Sequence, residues 1–255
     1  MEPLEQYLPY ALRQFETDVI VPLHALGIDA SFTTSSLAKL TTVIVVTLFF
    51  WLAMRKGSMV PGRLQASAEM IYAFVADTVT RVAGPEAKPS IPFIFTLFIF
   101  IWFGTLIGLT PVKDTFTSHL VVMLALSTTV FVYVNVVAFR KHGMGFFRYF
   151  LPADIPLFVA PIFVLVETVS YLFRPITLGF RVFANIVAGH IMLKLFADIC
   201  TMMVGALGPV GAIASIAPVL MIAILYAFEI MIVSIQSYIF MLITSMYLRD
   251  ALHKH

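Results

Sequence analysis

The chain has 255 residues, of which 60% are hydrophobic and only 12% are charged, and its formal net charge is +2. This composition is typical of membrane proteins, and basic residues this few and scattered exclude the basic face of a nucleic-acid-binding protein. Long apolar runs without alternation exclude a β-barrel, because backbone amides in lipid must pair within helices or closed barrels. We therefore predict an all-α, polytopic membrane protein that is surrounded by membrane lipid and has no nucleic-acid partner.

The amino-terminal third contains one predicted span and one predicted surface helix. Residues 1–35 have no basic stretch followed by an apolar core, so no cleaved signal peptide is expected, and the segment is predicted to be extracytoplasmic. The first span is predicted over residues 36–54, because Arg55 and Lys56 end the apolar run. Residues 61–82 mix charged and apolar side chains and predict an amphipathic helix at the membrane interface.

The middle of the chain predicts a helical hairpin over residues 90–139. Two uncharged runs, residues 90–112 and 120–139, are each long enough to cross about 30 Å of hydrocarbon. Residues 111–119 are predicted to form the turn between them.

Residues 156–250 predict a long helical pair, made of residues 156–203 and 209–248 with a glycine-rich turn between them. At 1.5 Å per residue the first of these helices would be roughly 70 Å long, more than twice the thickness of the bilayer core. It must therefore be steeply tilted or broken near Pro175, and the residues alone leave both alternatives open.

The basic residues predict the orientation of the chain. They follow the first span, follow the hairpin and recur at the carboxyl terminus. Short basic segments stay on the cytoplasmic side of a membrane, so these three segments are expected to share that side. Five crossings, with the amino terminus outside and the carboxyl terminus inside, satisfy this pattern.

The long pair carries polar groups at depths where charges are costly and therefore point to function. On an ideal helix, five polar residues of the first element, residues 156–203, fall within about 80° of one another and form one polar stripe. They are Glu167, Ser170, Arg174, Arg181 and Asn185. In the second element, Glu229 and Gln236 are separated by about 20° and are predicted to meet this stripe.

His190 lies away from that stripe, about 180° around the helix from Arg181. Lys194 and Asp198 follow it at one-turn intervals and extend a second polar face. This face is compatible with a hydrated vestibule at the outer end, although Lys194 and Asp198 could equally form a simple i,i+4 ion pair.

The ionisable groups predict a path for protons. Arginine keeps its charge at physiological pH, whereas glutamate and histidine exchange protons. Arg181 is therefore predicted to be a fixed charge and not a proton relay. Placed between two aqueous half-channels, it would attract a carboxylate from another subunit and block a direct passage of protons. In that arrangement Glu229 and His190 would pass protons on the entry side, and Glu167 with Ser170 on the exit side. Helix periodicity shows which residues share a face but not which compartment each face meets.

The run FRPITLGFRVFANIVAGH, residues 173–190, resembles the signature of subunit a of F-type ATP synthases, in which R-x-x-x-N lies on a helix facing the rotor ring. The resemblance covers nearly the whole chain, more weakly before Ser36. It implies that the last two helices are long and tilted to face the c-ring, so it favours tilt over a break. The order of His190 and Glu229 resembles that of mitochondrial and α-proteobacterial members.

The resemblance also implies roles and partners. Arg181 is similar to the essential arginine of the family, Asn185 and Gln236 to its polar supports, and His190 with Glu229 to the proton-entry pair. The family's subunit a is non-catalytic and needs no cofactor or metal. Its partners are the c-ring, which carries the proton-bearing carboxylate, the peripheral-stalk subunit b and the other F0 and F1 subunits. The implied location is the bacterial cell inner membrane, with the mitochondrial inner membrane as the alternative.

Structural roles compete with these functional ones. For Arg181 the competing role is an intramembrane ion pair, for example with Glu229, but the functional role is favoured. For His190 and Glu229 it is a polar contact between packed helices. Ser170 can bond its own helix, and Arg174 can snorkel towards an interface. Among other functions, an independent secondary transporter should show related halves, which the sequence lacks, and an intramembrane hydrolase should show a motif such as H-E-x-x-H.

Overall fold

A computed structural model describes residues 19–21, 24–25, 28–29, 32–55, 57, 61–109, 119–143 and 160–252. Most of these residues are helical, and five of the helices are long and apolar enough to cross a membrane. The predicted all-α class with five membrane spans is therefore confirmed. Most of the predicted hairpin turn, Lys56 and the basic residues 148 and 254 lie outside the described residues.

Short strands precede the first helix, a feature that the sequence did not predict. They form two antiparallel pairs, and the strands of one pair lie between those of the other along the chain. The outer pair is β1 (Val19–Val21) with β4 (Phe32–Thr33), and the inner pair is β2 (His24–Ala25) with β3 (Ile28–Asp29).

The helices follow one another along the rest of the described chain, with a short 3₁₀ helix, Pro85–Ser90, leading into the third. In chain order they are α1 (Thr34–Met54), α2 (Arg63–Ala83), α3 (Ile91–Gly108), α4 (Leu120–His142), α5 (Ala160–Ala214) and α6 (Ile216–Leu252). The five candidate spans are α1, α3 with its 3₁₀ turn, α4, α5 and α6.

Helix α2 is amphipathic. It buries Ala68, Val75, Val79 and Ala83, which recur at seven- and four-residue intervals and so share one face. On the exposed side, Arg81 pairs with Asp77 one turn earlier at 2.7 Å. Its position at the membrane interface stays a prediction.

Helix α5 is continuous through Pro175, so the alternative of a break at that residue is wrong. Proline is tolerated inside membrane helices because local adjustments and neighbouring groups satisfy the carbonyl that it leaves without a donor. Non-helical dihedral angles occur instead at Gly208, with φ 55° and ψ −130°, inside the glycine-rich stretch expected to turn. A positive φ suits glycine, and Pro209 cannot donate to the preceding turn.

The described residues form two compact units that divide helices α1, α3, α5 and α6 between them. The first unit takes residues up to Ile44, Ile101–His119 and Phe183–Gln236, and the second takes Val45–Phe100, Leu120–Val182 and the chain from Ser237 onward.

In the first unit, α6 is tied to the end of α3 by two hydrogen bonds. The indole Nε1 of Trp102 donates to Oγ of Ser234 at 3.1 Å. The hydroxyl of Tyr226 donates to the carbonyl of Leu109 at 2.8 Å. This carbonyl directly follows the last residue of α3, where backbone carbonyls have no N–H donor within the helix.

In the second unit, α4 and α5 approach very closely at Gly179. A Cβ atom at this position would lie 2.7 Å from Oγ of Ser127 and 2.9 Å from the carbonyl oxygen of Met123. Only glycine fits against a neighbouring backbone at this separation, and small residues at such contacts are typical of packed membrane helices. The contact fixes α5 two residues before Arg181.

The carboxyl end of α4 is also held within the second unit. Lys141 pairs with Glu86, and Tyr133 donates from its hydroxyl to Oγ of Ser90 at 2.9 Å. A ring nitrogen of His142 lies 3.1 Å from the carbonyl oxygen of Ala251 at the end of α6.

Candidate functional site: a paired polar face on the last two helices

In the first unit, α5 and α6 are joined by a hydrogen bond between two of the predicted site residues. Nδ2 of Asn185 donates to Oε1 of Gln236 at 2.7 Å. Gln236 is buried, and the hydrogen bond from Asn185 satisfies the side-chain oxygen of Gln236 within the chain. The predicted meeting of the two polar faces is present here.

Glu229 lies over the backbone of α5 at Gly189. A Cβ atom on Gly189 would be 2.6 Å from Oε1 of Glu229 and 2.9 Å from its Cδ. The absence of a side chain at this position creates the space for the carboxylate. Sequence reasoning did not single out Gly189, although a glycine within an apolar membrane helix is a recognisable signal of a close contact.

The carboxylate of Glu229 is buried without a hydrogen-bond partner among the described residues. The residue is 5% exposed, and both of its carboxylate oxygens lack a partner in that part of the chain. Such a group is costly as a permanent anion in an apolar setting and is well suited to binding and releasing a proton. His190 follows Gly189 directly and is half-buried.

The other predicted residues lie in the second unit, on the first half of α5. Arg181 and Ser170 are exposed at the surface of the chain, and Glu167 is half-buried. The same stretch of α5 buries Tyr171 and Val182, so the stripe lies beside the packed face and not within it.

Arg181 makes no ion pair with a carboxylate in the described part of the chain. This contrasts with Arg174, two turns earlier, whose Nη1 lies 3.5 Å from Oδ2 of Asp250. The guanidinium of Arg174 also lies over the rings of Tyr171 and Tyr247, at 5.0 and 5.1 Å from their centroids. The role of Arg174 was left open by the sequence, and Asp250 and Tyr247 were not recognised because they are more than seventy residues away.

The described residues contain no group of three or more histidine, cysteine, aspartate or glutamate side chains placed to hold a metal ion. The polar groups of the site are instead distributed along two helices.

Five helices long and apolar enough to cross a membrane, the last two long and joined by a hydrogen bond between polar side chains, define a multi-pass helical membrane protein. Its residues 36–249 match the profile of the family described as ATP synthase A chain. The chain belongs to this family, and the predicted resemblance is confirmed.

Three bacterial relatives are each named ATP synthase subunit a. The protein of Hyphomonas neptunium is 46% identical over 242 residues, which cover 95% of both chains. That of Parvibaculum lavamentivorans is 45% identical over 243 residues, covering 95% of this chain and 93% of the relative. That of Rhodospirillum rubrum is 41% identical over 244 residues, covering 96% and 98% respectively. The similarity therefore extends over nearly the full length of each protein.

Proposed function

We propose that this chain is the proton-translocating subunit a of a rotary F-type ATP synthase. It forms two aqueous half-channels at the interface with a c-ring and couples proton flow to rotation and ATP synthesis, without a catalytic centre of its own. The observation that carries the proposal is the carboxylate of Glu229, which is buried in a membrane helix and has no hydrogen-bond partner among the described residues. A carboxyl group in that position is useful because it can take up and release a proton.

Glu229 and His190 pass protons on the entry side. Glu229 lies on Gly189, and His190 is the next residue along α5, so the two titratable groups belong to the same part of the first unit. Asn185 and Gln236 support this part of the path, because their hydrogen bond orders the polar groups between the two helices.

Arg181 is the fixed charge between the half-channels. Its guanidinium remains protonated, so it does not relay protons and instead repels a hydronium ion that would bypass the carrier. Its exposure leaves it accessible to a carboxylate on another subunit. Glu167 and Ser170 line the exit side on the same helix.

The partners are the c-ring, the peripheral-stalk subunit b and the other F0 and F1 subunits, with membrane lipid around the remaining surface. The many large apolar side chains exposed on α1, α5 and α6 support such surroundings, because they would be unfavourable in water. We place the chain in the inner membrane of a bacterium, as its bacterial relatives favour.

The test is ATP-driven acidification of membrane vesicles that contain the assembled complex with Glu229→Gln. Glutamine has nearly the shape of glutamate but cannot exchange a proton, so acidification is expected to fall by roughly tenfold or more. Thr129→Ala is the matched control, because it removes an exposed hydroxyl that bonds to its own helix. Undiminished acidification with Glu229→Gln would contradict the proposal, as would purification of the chain as an independent transporter without a nucleotide-hydrolysing complex.

A further inference from the structure

In the second unit, the guanidinium of Arg174 is surrounded by one carboxylate and two aromatic rings. Asp250 provides the anion at 3.5 Å, and the rings of Tyr171 and Tyr247 lie against the guanidinium. The side chains of Arg174 and Asp250 are 22% and 36% exposed, so solvent screens this pair less than it screens a fully exposed one.

One wall of this setting is fixed from a third helix. The hydroxyl of Tyr171 donates to Oδ1 of Asn135 on α4 at 2.9 Å. Nδ2 of Asn135 donates in turn to the carbonyl of Phe131 in its own helix. The ring against Arg174 therefore has a defined orientation, which keeps the guanidinium beside Asp250.

Arg174 and Arg181 are related by position on α5. Seven residues separate them, which corresponds to about 10 Å along the helix and about 20° around it. Both are permanent cations on nearly the same flank. Arg174 has a carboxylate beside it, whereas Arg181 has no carboxylate partner in the described part of the chain.

We propose that Asp250 is the counter-ion that cancels the charge of Arg174, so that a carboxylate brought by the c-ring is attracted to Arg181 alone. A guanidinium cannot lose its proton, so only a neighbouring anion can neutralise it. Without Asp250, a second cation about 10 Å away would compete for the same carboxylate and would repel protons leaving past Ser170. This inference rests on the proposed function of Arg181, and it makes Asp250 a positioning residue that acts through charge.

The test compares three variants in the assembled complex by ATP-driven acidification of vesicles. Asp250→Asn keeps the shape of the side chain and removes its charge, so acidification should fall roughly threefold or more. The double variant Arg174→Gln/Asp250→Asn removes both charges and should restore acidification to within about twofold of wild type. Arg174→Lys keeps a neutral pair but loses the planar stacking, and it should pump at the wild-type rate.

A bracing role for the pair predicts the opposite pattern. If the contact mainly held α5 to α6, the double variant would be as impaired as Asp250→Asn, and Arg174→Lys would also be impaired. Either result would overturn the inference, and so would normal acidification with Asp250→Asn. Should Asp250→Asn fail to assemble, Arg174→Lys still decides, because a loss of pumping in an assembled Lys variant contradicts charge cancellation.

Arg181→Ala in the same vesicles separates this inference from the proposed function. If Arg181→Ala pumps normally, the fixed-charge role itself fails. If Arg181→Ala abolishes pumping while Asp250→Asn pumps normally, only the role of Asp250 is overturned.

Discussion

The carboxylate of Glu229 lies against the backbone of Gly189, so closely that a Cβ atom there would be 2.6 Å from Oε1. The position of a titratable group on α6 thus depends on the absence of a side chain on α5. This dependence links the packing of the two helices to the chemistry proposed for them, and it can be tested by adding one methyl group.

Gly189→Ala is expected to displace the Glu229 carboxylate and to lower ATP-driven proton pumping by roughly tenfold or more, since small displacements of a reacting group are costly. Gly205→Ala is the matched control on the same helix, because no atom lies within 4 Å of its added Cβ. The double variant Gly189→Ala/Glu229→Asp should recover part of the pumping, because the shorter side chain leaves room for the methyl group. Equal pumping by the two alanine variants would show that the contact has no functional role.

Asn185→Ala is expected to reduce stability because it leaves the buried amide oxygen of Gln236 without its donor. The free energy of unfolding in detergent micelles should fall by about 1–3 kcal/mol. Asn185→Ala/Gln236→Leu should recover much of that loss of stability, since it removes both polar groups. Its proton pumping should nevertheless be lower than that of the wild type, because both residues support the proposed proton path. A double variant no more stable than the single one would argue against this hydrogen bond.

Gly179→Ala is expected to force α4 and α5 apart and to cost about 1–3 kcal/mol of stability, measured by unfolding in detergent. Ser127→Ala should rescue it only in part, because the carbonyl oxygen of Met123 would still lie 2.9 Å from the new Cβ. Full rescue by Ser127→Ala would mean that the serine hydroxyl alone sets the separation of the two helices.

The hydrogen bond from Trp102 to Ser234 should contribute modestly to holding α3 against α6. A double-mutant cycle with Trp102→Phe and Ser234→Ala is expected to give a coupling energy of about 0.6 kcal/mol, as is usual for such bonds between membrane helices. Additive effects of the two substitutions would indicate that the 3.1 Å contact is not a stabilising interaction.

The sequence predicted those features that depend on local pattern. Apolar runs long enough to cross the membrane identified the five spans, and the glycine-rich stretch contained the break at Gly208. Pro175 suggested a broken helix, and this alternative is wrong. Proline breaks helices in water-soluble proteins, but it is tolerated inside a packed membrane helix. The short strands before α1 are too brief for alternation to be recognised.

The site was predictable to the extent that periodicity places side chains on faces. It indicated that Asn185 and Gln236 would lie on meeting surfaces, and they form a hydrogen bond. It could not indicate that Gly189 accommodates Glu229, or that Asp250 pairs with Arg174, because these contacts depend on the register between helices far apart in sequence. Face angles describe one helix at a time, whereas register is set by packing.

The role of Arg181 is tested by measuring coupled proton pumping and passive proton leak in vesicles that contain the assembled complex with Arg181→Ala. The proposed fixed-charge role predicts that ATP-driven acidification is lost while assembly is unchanged, and that passive leak through the membrane sector rises because the barrier between the half-channels is gone. Acidification at the wild-type rate by an assembled Arg181→Ala complex would rule out a fixed-charge barrier at this residue and would leave Arg181 with a structural role.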